Sequence, residues 1–230
     1  MSIRSLGLVL CMVCMWSGCS GSATKDNVTK ADATKPKSSG PTKQIGISIL
    51  TTANPFFVEI SDSVKQAAQE AGYELISVSG EYDANKQQNQ VKDFIVQKVS
   101  AIILTPCDSR AVGTAIEEAN AAGIPVFTAD IASIAPGAKV VTHVATDNYS
   151  GGRQAAIAMI EALGGQGKVA ILDFPQVESV MLRTKGFREE LEEQKKAKGV
   201  SIEIVAVLPC LLYTSDAADD LDLAGNPCIF

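Results

Sequence analysis

Histidine is nearly absent: the 230-residue chain has one, His143, and its 20 Lys and Arg are outnumbered by 26 Asp and Glu. The lone imidazole falls inside a β-rich run, where a place in the core or at its rim suits it better than catalysis or metal binding. The basic residues form no stripe of the kind that neutralises a phosphate backbone, so nucleic acid is excluded as a partner. Cysteine is scarce where it would matter. Cys11, Cys14 and Cys19 lie in the leader and Cys210 and Cys228 in the tail, which leaves Cys107 alone in the body. With no metal-spaced partner it reads as an unpaired structural thiol, and neither a metal nor a cofactor is expected. No nucleophile, base and metal cluster gathers at the strand ends, which excludes an exported enzyme. The stretch GGQGK at 164–168 precedes a strand, whereas a phosphate-binding loop follows one, so it is a helix-to-strand turn. The run REELEEQKKAK is a solvated helix face.

What the chain does have begins with a leader. MSIRSLGLVLCMVCMWSGCS carries Arg4, an apolar run from Leu6 to Trp16 and the small pair Ser17-Gly18 before Cys19. The run is shorter than the ~20 residues that span a bilayer and reads as a secretion signal over residues 1–18. It resembles a bacterial lipoprotein signal, which implies cleavage before Cys19, a lipid on that residue and anchorage at a membrane in the periplasm or cell envelope. Trp16 stands where that pattern favours an aliphatic, and a protein not lipidated at Cys19 would be secreted. Residues 19–43 are Ser, Thr, Ala, Lys, Gly, Asp and Pro with almost nothing apolar, a disordered tether. Its reach is about 25–30 Å, enough to hold a domain clear of a surface.

From Gln44 onward short β-rich runs alternate with amphipathic stretches. The predicted strands are QIGISIL, YELISVSG, SAIILTP, IPVFTAD, KVVTHVA, GKVAILDF and VSIEIVAVL. Phe57, Ile60, Val64, Ala67 and Ala71 recur at three and four residues and predict a helix closed by Gly72. Val91, Phe94 and Ile95 mark a second helix, and 111–122 a third that ends at Gly123. This alternation, with apolar strands, predicts an α/β fold with a parallel sheet covered on both faces. The rhythm breaks after IPVFTAD, and a new helix begins at Tyr149 with Gly151-Gly152-Arg153 in its first turn. The expected division is a first α/β lobe at 44–146 and part of a second at 147–208. Residues 209–230 read differently, with Asp216, Asp219, Asp220 and Asp222 and neither Lys nor Arg. CLLYTSDAADDL resembles translated sequencing-adapter read-through, so the tail is left out of the functional reading and the second lobe is expected to be incomplete.

Ligands of parallel α/β sheets sit at the carboxyl ends of the strands. There the sequence places Asn54 and two phenylalanines after strand one, Thr105, Cys107 and Asp108 after strand three, Asp130 after strand four, and Thr146 and Asp147 after the crossing strand. Adjacent helical residues project about 100° apart, so Phe57 fits the core stripe and Phe56 is left over, either covering the helix end or facing a cleft. Asn54-Pro55 is a sound N-cap and first helical residue for backbone reasons alone. Asp130 is either an ordinary loop cap or a ligand group, since an acid at the inner end of a buried strand needs a partner. A carboxylate, an amide and an aromatic ring together suit a neutral polyol.

TTANPFFVEI, TPCDSRAVGTAIEEANAAGIPVFTAD, HVATDNYSGGRQAA and RTKGF resemble the ribose-binding proteins, periplasmic sugar receptors of ABC importers, from about Gln44 to Leu208. The resemblance implies the two-lobe periplasmic-binding-protein fold and hinge closure around a sugar. It implies sugar contacts at Asn54, Phe56, Phe57, Asp130 and Arg183, rings sandwiching the ligand while polar groups take its hydroxyls. Three positions depart from ribose binders: Ile131 where they carry arginine, Thr105 in place of asparagine and Thr146 in place of serine. The missing charged donor removes a hydrogen bond of about 1.5–3 kcal/mol, leaving another pentose, a hexose or a related small polyol open. The function implied is an extracytoplasmic, non-enzymatic lipoprotein that delivers a monosaccharide to an importer permease. A receptor serving a chemotaxis or sensor-kinase system is the alternative.

Overall fold

The computed structural model describes residues 43–209 and the two-residue strand Cys228–Ile229. The expected signal peptide, Cys19, nearly all of the tether and most of the tail lie outside the described residues.

A first sheet holds β1 (Lys43–Ile49), β2 (Tyr73–Ser79), β3 (Ala101–Leu104), β4 (Val126–Ala129) and β5 (Thr142–Val144), all parallel, in the order β2-β1-β3-β4-β5. The helices between them start where side chains satisfy free backbone N–H groups. For α1 (Pro55–Glu70) the Asn54 Oδ1 accepts from Phe56 N at 3.0 Å, and Pro55 fills the first helical position, where no donor is needed. Asp83 caps α2 (Ala84–Gln97) through Asn85 N and Lys86 N. Asp108, three residues ahead of Ala111, does the same for α3 (Val112–Ala121) through Arg110 N and Ala111 N. Gly72, just beyond the end of α1, has a φ of +80°, a left-handed turn that a side chain would strain.

One face of the sheet receives Phe57, Ile60 and Val64 of α1 against Ile47, Ile49, Leu75 and Ile103. The other receives Val91 and Phe94 of α2 and Ala115, Ile116 and Ala119 of α3 against Ile102, Leu104 and Val126. β5 is three residues long, shorter than the KVVTHVA run predicts. The amide of Asn120 on α3 captures both backbone groups of Lys139, at 3.1 and 3.0 Å, and Val141 N–H reaches Val126 O at 2.8 Å, so strand pairing begins only at Thr142.

The chain leaves this sheet through 145–147 and enters α4 (Asn148–Ala162), capped by Asp147. A second parallel sheet follows, with β6 (Gln166–Asp173), β7 (Ser201–Pro209) and β8 (Cys228–Ile229) in the order β7-β6-β8. α4 and α5 (Glu178–Lys198) cover it through Ala156, Phe187 and Leu191 against Val169, Ile171 and Ile202. The architecture is therefore α/β, two parallel sheets flanked by helices. The β6–α5 loop reaches back to the first sheet, where Phe174 and Val177 are buried with Ile47, Leu50, Phe57, Cys107 and Ile131.

Candidate functional site

The carboxyl ends of β1 to β5 all open on one side of the first sheet, because all five strands are parallel. Asp130 closes β4 with a φ of +62°, a conformation that non-glycine residues rarely hold. Two hydrogen bonds fix it: its own N–H to Val144 O at 2.8 Å, and Ile131 N–H to Ala129 O at 2.7 Å. Burial pushes the Asp130 carboxyl up from its ordinary range, while the charge of Arg183 acts in the opposite direction. A half-buried acid in a left-handed turn, with a cation of α5 acting on it, makes Asp130 a candidate site residue.

Phe56 is 51% exposed and Phe57 4%, the division that helical geometry predicts, with the two rings edge to face at 5.1 Å. Phe57 belongs to the core under α1. Phe56 instead lines a cavity of about 580 Å³ together with Asp130, Thr146, Ile60, Val64, Ile103, Phe127 and Val144. Most of this lining comes from β3, β4, β5 and α1, and Asp130 and Thr146 follow the ends of β4 and β5. Asn54 is half-buried, its Oδ1 taken by the helix cap. Thr146 is exposed, and so is Arg183 on α5. Thr105 is fully buried: its Oγ1 accepts from Leu50 N at 2.5 Å and its carbonyl accepts from Gln87 Nε2 at 3.0 Å, so it ties loops together below the surface. The structure thus brings Phe56, Asp130 and Thr146 to one opening with the charge of Arg183 nearby, and sets Phe57 and Thr105 beneath it. Ile131 is 1% exposed within the core and turns no polar atom to the opening.

Other groups at these strand ends escape a reading of the sequence. Tyr82 sets its ring edge to face with Phe174, centroids 6.1 Å apart. Ser109, fully buried, accepts from Glu178 N at 2.8 Å and donates its own N–H to Gln176 O at 2.9 Å, holding the β6–α5 loop against the first sheet. Phe174 follows a strand end and was within reach of that rule; nothing in GEYD or in Ser109 signals their roles. Among the described residues no three His, Cys, Asp or Glu side chains are grouped to hold a metal ion, and no helix is long and apolar enough to cross a membrane.

The model of the periplasmic binding protein domain matches residues 45–224. The chain belongs to that family. Among its relatives, the ribose import binding protein of Bacillus subtilis (strain 168) is 40% identical over 164 residues, 70% of this chain and 53% of that protein. The D-apiose import binding protein of Actinobacillus succinogenes is 34% identical over 158 residues, 67% of this chain and 51% of that protein. A solved carbohydrate transporter solute binding protein from Agrobacterium radiobacter, in complex with D-arabinose, matches with a TM-score of 0.71 at 24% identity, covering 83% of this chain and 66% of that one. At that identity the likeness speaks for the periplasmic binding protein fold alone. The chain spans about half the length of the curated relatives it matches.

Proposed function

We propose that the chain is part of an extracytoplasmic sugar receptor that delivers a monosaccharide to an ABC importer and is not itself an enzyme. The observation that carries the reading is the strained, half-buried Asp130 beside an exposed aromatic ring, Phe56, with the Arg183 charge acting on the same carboxylate from the second layer. A carboxylate accepts from two neighbouring hydroxyls, a guanidinium donates to ring oxygens, and a ring face lies against sugar C–H groups. Both relatives carry the name of a pentose, which puts that class first; the apolar, buried Ile131, standing where ribose binders carry arginine, favours a pentose or small polyol other than ribose.

In the whole receptor, Asp130→Ala and Arg183→Ala are each expected to weaken binding of the best ligand of a monosaccharide panel by about 1.5–3 kcal/mol, with a smaller change in stability. Titration calorimetry that finds unchanged affinity in both variants would refute the assignment. Asn54 is a poorer probe because its substitution also removes a helix cap.

Anchorage through a lipid on Cys19 belongs to the same reading and is supported by the apolar run that ends in Ser-Gly-Cys ahead of a polar tether. Cells fed a fatty-acid analogue should label the wild type and not Cys19→Ser; equal label in both, or none in either, would remove the lipid anchor.

A further inference from the structure

The β2–α2 loop contains two consecutive non-glycine residues in the left-handed region, Glu81 at φ +52° and Tyr82 at φ +61°. Such a pair persists only where its surroundings over-determine it. Here Gly80 N–H bonds Ile49 O at 2.9 Å, Tyr82 N–H bonds Leu50 O at 3.1 Å, and Asp83 N–H bonds Gly80 O at 3.0 Å. In this turn the Glu81 side chain meets the β1–α1 loop. One carboxylate oxygen accepts from Thr51 Oγ1 at 2.9 Å; the other accepts from Thr52 N at 3.2 Å and Thr52 Oγ1 at 2.9 Å. Thr51 is fully buried, and its Oγ1 accepts in turn from Ala53 N at 3.1 Å. One acidic side chain thus fixes Thr51 and Thr52 directly and Ala53 through the Thr51 hydroxyl, and the next residue is Asn54, followed within two positions by Phe56.

We propose that Glu81 is a positioning residue for ligand binding, a clamp that sets the Thr51–Ala53 segment so that Asn54 and Phe56 meet a sugar in one fixed geometry. The proposal rests on the sugar-receptor reading. The neighbouring hydroxyls of Ser79, Thr51 and Thr52 hold its carboxyl down at about 2, so it is an anion at neutral pH and accepts the Thr51 and Thr52 bonds as a charged acceptor. Glu81 touches no ligand itself: it acts through the loop, and its loss should loosen that loop without unpacking the sheet.

Amide hydrogen exchange on the 230-residue chain reads the clamp directly. Glu81→Ala should speed exchange in peptides covering 50–57 roughly tenfold. Peptides covering β3 and α3 should be unchanged. Glu81→Gln should keep most of the protection, because the amide oxygen still accepts from Thr52 N and the amide nitrogen donates to the Thr51 hydroxyl. Thr52→Val, at an exposed position, should loosen the same peptides in part. Unchanged exchange at 50–57 in Glu81→Ala, or an equal rise across the whole first sheet, overturns the clamp. In the whole receptor, titration with D-ribose, D-apiose and D-arabinose should show affinity lost in Glu81→Ala and recovered in Glu81→Gln. A loosened loop with undiminished affinity overturns the positioning role. A wild-type receptor that binds neither these three sugars nor any other member of a monosaccharide and polyol panel removes the sugar reading and the proposal with it; binding in the wild type keeps that outcome distinct from failure of Glu81 alone.

Discussion

Cys107 sits at 2% exposure beneath the strand ends, and burial pushes its thiol up to about 12, against an opposing hydrogen bond with the Tyr82 backbone. The thiolate is the reactive form, so a buried thiol of this kind is inert. In the folded chain at pH 8, iodoacetamide should leave the peptide containing Cys107 unmodified, and alkylate it fully in denaturant; mass spectrometry of that peptide checks the expectation, and prompt alkylation of the native chain would overturn it. The sequence reading of Cys107 as a structural thiol needed only its isolation from other cysteines. The division between Phe56 and Phe57 was legible for an equally local reason, since neighbours on a helix face different ways. Thr105 was not legible: a strand-end hydroxyl that lines a cleft and one that accepts a backbone N–H below it look alike until the loop carrying Leu50 is in place. Glu81 and Tyr82 were hidden for a stronger reason, because left-handed turns are read from glycine and asparagine and neither residue is either of these.

The helix pair α4–α5 shows what an element-level pattern carries and what it omits. Gly151-Gly152-Arg153 announced a helix start, yet its purpose appears only at the crossing. A Cβ on Gly152 would run into the carbonyl oxygen of Arg183, and one on Gly186 into that of Tyr149, so the two backbones touch where side chains would hold them apart. The contact fixes the height of α5, and with it the position from which Arg183 acts on Asp130. Around it Arg153 pairs with Glu190 and Glu193, and Tyr149 Oη donates to Glu189 at 2.6 Å. Gly186→Ala should therefore destabilise the fold by about 1–3 kcal/mol through overpacking, after any gain in helix propensity. Urea melts that show equal or greater stability would contradict the close crossing. Strands and helices were read well from the sequence because parallel strands buried on two faces are continuous apolar runs. The length of β5 was not, because it is decided by Asn120, on a different element, capturing Lys139.

At the scale of the whole molecule the two faces of the first sheet are unequal. Among the described residues α2 and α3 cover one face across β3 and β4, while α1 covers only part of the other and leaves the groove past Phe127 and Val144, the latter 68% exposed. The two sheets are nonetheless joined by more than the chain that links them. Phe174 and Val177 leave the end of β6 to complete a core made of Ile47, Leu50, Phe57 and Ile131, and Ser109 secures the loop that carries them. That core therefore lacks two of its walls whenever the second layer is unfolded, and neither layer can lose its order privately. Heat should accordingly take both sheets through one calorimetric transition whose van't Hoff and calorimetric enthalpies agree. Phe174→Ala, which removes the largest shared wall, should split that peak in two or broaden it. Two separate transitions in the wild type would mean that the layers melt independently. A thermal scan of this chain is thus a measurement of how firmly one layer knows the state of the other, the same coupling that any message passed from one lobe to its neighbour would have to use.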